Sequence, residues 1–96
     1  MQETPGESRG TRVVMYSTQF CPFCIRARAL LKQKQVPFRD LAVDGKPALR
    51  QEMIEKSGHY TVPQIWVGEV HIGGCDELMQ LERRGELDAL LAGDSS

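Results

Sequence analysis

Val13-Val14-Met15-Tyr16-Ser17-Thr18-Gln19-Phe20-Cys21-Pro22-Phe23-Cys24 is the stretch on which the fold turns. It opens with a short apolar run, Val13 to Tyr16, the pattern of a buried strand. Pro22 suits the first turn of a helix, where its missing N–H loses no bond. Cys24, Ala27, Leu30 and Leu31 then fall on one face at helical spacing, with Arg26, Arg28, Lys32 and Lys34 on the rest. This predicts a helix from about Pro22 to Gln35. Both sulfurs of the Cys-Pro-Phe-Cys motif therefore sit within one turn. Unpaired N–H groups and the helix dipole favour negative charge at Cys21, and the thiolate is the nucleophilic form of cysteine. Cys24, one turn further in, points into the body and can attack a mixed disulfide formed at Cys21.

After this helix, Val36 to Val43 reads as a second strand and Asp44-Gly45 as a turn. Ala48 to Lys56 reads as a short helix that Gly58 ends with a left-handed cap. Gln64 to Val67 and Val70 to Ile72 form two further strands around Gly68-Glu69, and Gly73-Gly74 breaks the pattern. Asp76 to Arg84, then Leu87 onward, give the last helices. The predicted class is α/β, in the order β-α-β-α-β-β-α-α, with a four-stranded mixed sheet flanked by helices. Residues 1–11 read as a mobile tail, 12–92 as the domain and 93–96 as a C-terminal tail.

Composition bounds the function. With 96 residues the chain makes one domain. Twelve basic and 13 acidic residues give a net charge of −1, which argues against a dedicated nucleic-acid binder. No apolar run is long enough for a membrane span, and the start has no signal-peptide core, so a cytoplasmic protein is expected. Three cysteines cannot all pair internally, which disfavours a disulfide scaffold. Half of a zinc site is the competing reading of the motif. Zinc needs more ligands, and Cys75, His71 and His59 supply no second close-spaced pair, so no metal site is expected. A C-x-x-C beside a βαβ pattern reads as redox chemistry.

Beyond the motif itself, the chain resembles the glutaredoxins, most closely the small bacterial dithiol members. The resemblance rests on Val14-Met15-Tyr16, Cys21-Pro22-Phe23-Cys24, Ser57-Gly58, Thr61-Val62-Pro63-Gln64-Ile65 and Ile72-Gly73-Gly74-Cys75-Asp76. These recur in the family's order over about residues 12 to 92. The resemblance implies a thioredoxin fold and reduction of protein disulfides and glutathione mixed disulfides. Glutathione would be the reducing cosubstrate, with no permanently bound cofactor, and the protein would act as a monomer. Cys21 matches the family's nucleophile and Cys24 its resolving thiol. Thr61, Val62 and Pro63 match the loop in which the proline is cis and Val62 pairs with the glutathione backbone. Gly74, Cys75 and Asp76 match the segment that holds the γ-glutamyl end, with Glu77 where relatives often have aspartate. Arg50 falls where the family often has a basic or amide residue for the glycine carboxylate. Thr18 stands where many relatives carry lysine, and Phe23 replaces the more usual tyrosine.

Physical chemistry supports these roles separately. Glutathione is a small anionic tripeptide with a carboxylate at each end. A backbone edge at Val62 can pair with its middle, as an added strand does. The helix N-terminus near Asp76 can hold one carboxylate and Arg50 the other. Cys75 reads as a small residue packed beside the glycines. His59 and His71 read as surface or strand histidines, and Trp66 as core. The four cations from Arg26 to Lys34 read as a solvated face able to steer acidic partners. Residues 75–94 hold six acids and two bases, so the molecule is dipolar. Two other functions stay in view: a glutathione-ligated iron–sulfur dimer through Cys21, and a thioredoxin-like protein served by a reductase.

Overall fold

The computed structural model describes residues 12–93, so the tail expected at 1–11, and all but the first residue of the tail expected at 93–96, lie outside the described residues. Its elements are β1 (Val13–Ser17), α1 (Pro22–Gln33), β2 (Phe38–Ala42), α2 (Pro47–Ser57), β3 (Gln64–Val67), β4 (Val70–Gly73), α3 (Cys75–Arg83) and α4 (Leu87–Leu91). The order is the one expected. Differences lie at the ends of elements, each with a local cause. Helix α1 stops at Gln33 rather than Gln35, because Lys34 is its C-cap and Gln35 turns to φ 61°. Strand β2 starts at Phe38 rather than Val36; the intervening Pro37 has no N–H to give a ladder. Gly58 closes α2 as expected, at φ 77° and with its N–H on the Ile54 carbonyl at 2.8 Å.

The sheet order is β2-β1-β3-β4. Strand β1 pairs parallel with β2, from Val13↔Phe38 to Ser17↔Ala42, and antiparallel with β3, from Val13↔Val67 to Tyr16↔Gln64. The β3–β4 hairpin carries a register shift at Ile65/Trp66. This is the mixed sheet of a thioredoxin fold.

The period-two alternation of the strands divides the interior into two layers. Val13, Met15, Ile65 and Val67 face α1, α3 and α4, where they meet Ala27, Leu30, Leu31, Leu78, Leu87 and Leu91. On the opposite face Tyr16 packs with Met53 of α2 and with Val43, and Val14, Leu41, Leu49 and Trp66 extend this layer. Each large apolar side chain taken fully out of water contributes about 1.5–3 kcal/mol. The first layer is the larger, and it fixes α1 and α3 side by side.

Polar ties reinforce that arrangement. Lys34 Nζ reaches Glu82 at 2.6 Å and Asp88 at 2.9 Å, joining the end of α1 to α3 and α4. The basic run of α1 is therefore not wholly a solvated face: Lys34, which the sequence could only place on it, holds acids of the negative end. On the other side the Tyr16 hydroxyl donates to Glu52 Oε2 at 2.6 Å and accepts from Lys56 Nζ at 3.3 Å, linking β1 to α2. Among the described residues, no helix is long and apolar enough to cross a membrane.

Candidate active site

Strand β1 delivers the chain through Thr18–Phe20 to the start of α1. Two contacts hold this loop: Val43 N–H on the Ser17 carbonyl at 2.8 Å and Gln19 N–H on Asp44 Oδ2 at 3.3 Å. Cys21 is the N-cap of α1, in extended conformation with φ −86° and ψ 119°. Its sulfur accepts from the Cys24 backbone N–H at 3.3 Å, so it takes the place of the oxygen that usually caps a helix. Pro22 occupies the first turn, where its missing N–H costs no bond. All three cysteines are free thiols; Cys21 is half-buried, whereas Cys24 and Cys75 are buried.

The two sulfurs of the motif thus differ in environment. Burial, then the hydrogen bond with Cys21, pushes the Cys24 thiol up to about 12. Cys24 stays protonated at neutral pH, beneath a Cys21 sulfur that reaches the surface. Burial likewise raises the Cys75 thiol. That third sulfur is 4% exposed and packs in the larger core layer, as expected for a small apolar wall residue.

Facing Cys21 across a short gap is the loop before β3. The Cys21 thiol donates to the Val62 carbonyl at 3.8 Å, and the Val62–Pro63 peptide is cis. Beside it opens a groove of about 450 Å³, walled by Thr61, Val62 and Pro63 on one side and by Gly73 through Glu77 on the other. Gly73 has φ 116°, and a Cβ there would come within 3.0 Å of the Glu77 side chain. A larger residue would strain the backbone just where it turns into α3. Gly74 caps α3, and its N–H donates to Glu77 Oε1 at 2.8 Å. Helix α3 accordingly begins at Cys75 rather than Asp76, with its free N–H groups next to the groove.

Of the residues singled out from sequence, Phe23, Thr61, Val62, Pro63, Gly74, Cys75, Asp76 and Glu77 line this groove. Cys21 stands at its edge through Val62, and Cys24 lies beneath Cys21. Two residues are not brought to its wall. Arg50 donates from Nη1 to the Tyr60 carbonyl at 3.1 Å, bracing the loop that leads into Thr61. Thr18 lies in the β1–α1 loop, where its backbone hydrogen bond lowers the Cys24 thiol against the larger effect of burial. One carboxylate oxygen of Glu77 is spent on the Gly74 cap.

Other lining residues were not assigned there from sequence: His59, Gln64 and His71. The Trp66↔His71 pairing across the hairpin stacks the two rings with centroids 4.6 Å apart, and His71 Nε2 lies 2.7 Å from Gln64 Oε1. Burial, then the charge of nearby His59, holds the His71 imidazole below its usual range. Which ring meets which depends on the register, and the irregularity at Ile65/Trp66 shifts it. Exposed rings flank Cys21 in sequence, Phe20 at 82% and Phe23 at 52%, and Tyr60, in the segment before Val62, is 73% exposed. Among the described residues, no group of three or more His, Cys, Asp or Glu side chains could hold a metal ion.

The arrangement can do thiol chemistry: an accessible sulfur at a helix N-terminus, a buried thiol one turn below it, and a groove with an exposed backbone edge. A family model described as Glutaredoxin matches residues 13–72. A glutaredoxin of Pseudomonas aeruginosa is 60% identical over 80 residues, covering 83% of this chain and 95% of the relative. The solution structure of a glutaredoxin from Brucella melitensis superposes with a TM-score of 0.81 at 44% identity, covering 97% of this chain and 99% of that one. The crystal structure of a buckwheat glutaredoxin–glutathione complex superposes with a TM-score of 0.79 at 29% identity, covering 85% of this chain and 77% of that one.

Proposed function

The chain belongs to the glutaredoxin family of thiol–disulfide oxidoreductases, and we propose that it is a glutathione-dependent dithiol member reducing protein disulfides and glutathione mixed disulfides. The observation that carries this reading is the pairing of a surface sulfur that caps α1 with a buried, protonated thiol one turn below it. The Cys21 thiolate attacks one sulfur of a substrate disulfide. A Cys21 mixed disulfide forms, and the other half of the substrate leaves as a thiolate. Cys24 then attacks Cys21, releasing the remaining half as a thiol and leaving a Cys21–Cys24 disulfide. Two electrons pass to the substrate, and two glutathione molecules restore the dithiol as they become glutathione disulfide. When the substrate is a glutathione mixed disulfide, a second glutathione replaces Cys24 as the attacking thiol.

The groove suits glutathione as partner and cosubstrate. The Val62 backbone offers strand-like pairing for the cysteinyl unit. The N–H groups at the start of α3 suit the γ-glutamyl carboxylate, and Asp76 with the remaining oxygen of Glu77 suits its ammonium. Arg50, through its hold on Tyr60, shapes the loop that leads into the groove. A glutathione-fed reductase of this size fits a reducing, cytoplasmic setting and action as a monomer.

Titration with a non-reducing S-alkyl glutathione, followed by amide NMR shifts, tests the site. The largest shifts are expected at Val62, Gly74, Cys75 and Asp76. Shifts confined to the opposite sheet face, around Tyr16 and Trp66, would remove this groove from the account.

A further inference from the structure

The resolving step makes a demand that the groove does not meet. Cys24 must lose its proton before it can attack, and it is 0% exposed. Burial and the neighbouring Cys21 both oppose ionisation. Cys24 is held on α1, and the residue one turn further along the same helix, at the i+4 position, is Arg28.

Arg28 is not a loose surface cation. Its Nε donates to Asp40 Oδ2 at 2.6 Å, and Nη2 donates to Ser17 Oγ at 3.3 Å. Ser17 in turn donates to Asp40 Oδ1 at 2.5 Å and is 1% exposed. Ser17 ends β1 immediately before the active-site loop, and Asp40 stands in the parallel neighbour β2. The guanidinium is thereby fixed against the sheet from two strands, and its direction is set by a closed triangle of hydrogen bonds. Two of its donors hold it there, one to each strand.

We propose that Arg28 is a positioning residue for the resolving step: anchored by Asp40 and Ser17, it holds positive charge one turn below Cys24 and stabilises the thiolate that Cys24 becomes. The inference rests on the dithiol reading given above. The charged and titratable groups facing Cys24 are Cys21 and Arg28 from its own helix, with Asp40 of β2 acting through Arg28. In the step itself, Cys24 gives up its proton, which ends on the departing thiolate when that is an alkyl thiolate and in solvent when it is a weakly basic aryl thiolate. The new bond joins Cys24 Sγ to Cys21 Sγ, and the bond between Cys21 and the substrate sulfur breaks. Of the two Cys21-directed forces on Cys24, the like charge disappears once Cys21 is in a mixed disulfide, which leaves Arg28 as the cation acting on the attacking sulfur.

The magnitude follows from two opposed effects. Each unit by which the Cys24 thiol rises cuts its thiolate fraction tenfold. The more basic thiolate is about threefold more nucleophilic, so the rate falls by about threefold per unit.

Reduced protein mixed with the aryl disulfide 5,5′-dithiobis(2-nitrobenzoate) releases two coloured thiolates in sequence. The first appears when Cys21 attacks, and the second when Cys24 resolves the mixed disulfide. Stopped-flow absorbance from pH 5 to 9 therefore isolates the step. In Arg28→Gln the second phase is expected to slow by about threefold or more. Its pH profile should move to higher pH, and Arg28→Lys should recover most of the wild-type rate. Arg28→Met, which keeps an unbranched stem and good helix propensity, replaces the glutamine variant if that one does not fold. A second phase in the charge-free variant that superimposes on wild type across the pH range would overturn the inference and leave the dithiol reading intact. So would a lysine variant as slow as the glutamine one, because the effect would then be packing rather than charge. A wild-type protein that releases only the first thiolate would overturn the dithiol reading and the inference together.

Discussion

Replacing Cys21 with serine is expected to lower turnover of every disulfide substrate by roughly a thousandfold or more, since the nucleophile itself is lost. Serine keeps the shape of the N-cap and is itself a good capping residue, so the fold and the groove should persist. Replacing Cys24 is expected to divide the activities. A glutathione mixed disulfide needs only Cys21 and a second glutathione from solution, so Cys24→Ser should keep most of that turnover. Reduction of a protein disulfide needs the Cys21 mixed disulfide to be resolved from within, because the bulky partner shields it from external thiols. That activity should fall by at least about tenfold. The two assays, run on both variants with glutathione as reductant, decide the roles. A Cys24→Ser protein that loses both activities, or a Cys21→Ser protein that keeps either, would reverse the assignment.

The largest effect on stability is expected at Leu78. This side chain is 0% exposed and sits in the larger core layer against α1 and the sheet. Its backbone N–H closes the first turn of α3 on the Gly74 carbonyl at 3.1 Å. Truncating a buried leucine to alanine costs about 2–5 kcal/mol, from lost burial and the cavity left behind. A domain of this size has only about 5–15 kcal/mol to lose. A loss of about 3 kcal/mol lowers Tm by roughly 12–24 °C. Calorimetry on Leu78→Ala reads this directly. A shift of a few degrees or less would mean that α3 is not held by this layer. In that case the groove wall from Gly74 to Glu77 would rest on other contacts.

Much of this was legible in the sequence for identifiable reasons. Cys24, Ala27, Leu30 and Leu31 announced the buried face of α1, and all four are buried. Pro22 and Gly58 marked a helix start and a helix end because each has backbone preferences that few positions satisfy. The cis peptide at Val62–Pro63 followed from the resemblance rather than from the dipeptide alone. What stayed hidden depends on distant pairing. Arg28 reads as one of several cations on a helix until β2 brings Asp40 beneath it. Lys34 reads the same way until α3 and α4 supply Glu82 and Asp88. His71 reaches the groove through a bulged hairpin register that no local pattern encodes. Arg50, which the resemblance matched to a ligand contact, has a further tie that its place along the chain did not reveal, to the Tyr60 carbonyl.

The proposed glutathione-driven disulfide reductase centres on Cys21 and the groove beside Val62 and Gly74. It is tested most directly by turnover of a glutathionylated cysteine peptide with glutathione as the sole reductant. Sustained multiple turnovers are expected, with a rate that rises with glutathione concentration and is lost in Cys21→Ser. A single turnover that stalls with glutathione and resumes only when a disulfide reductase is supplied would contradict it.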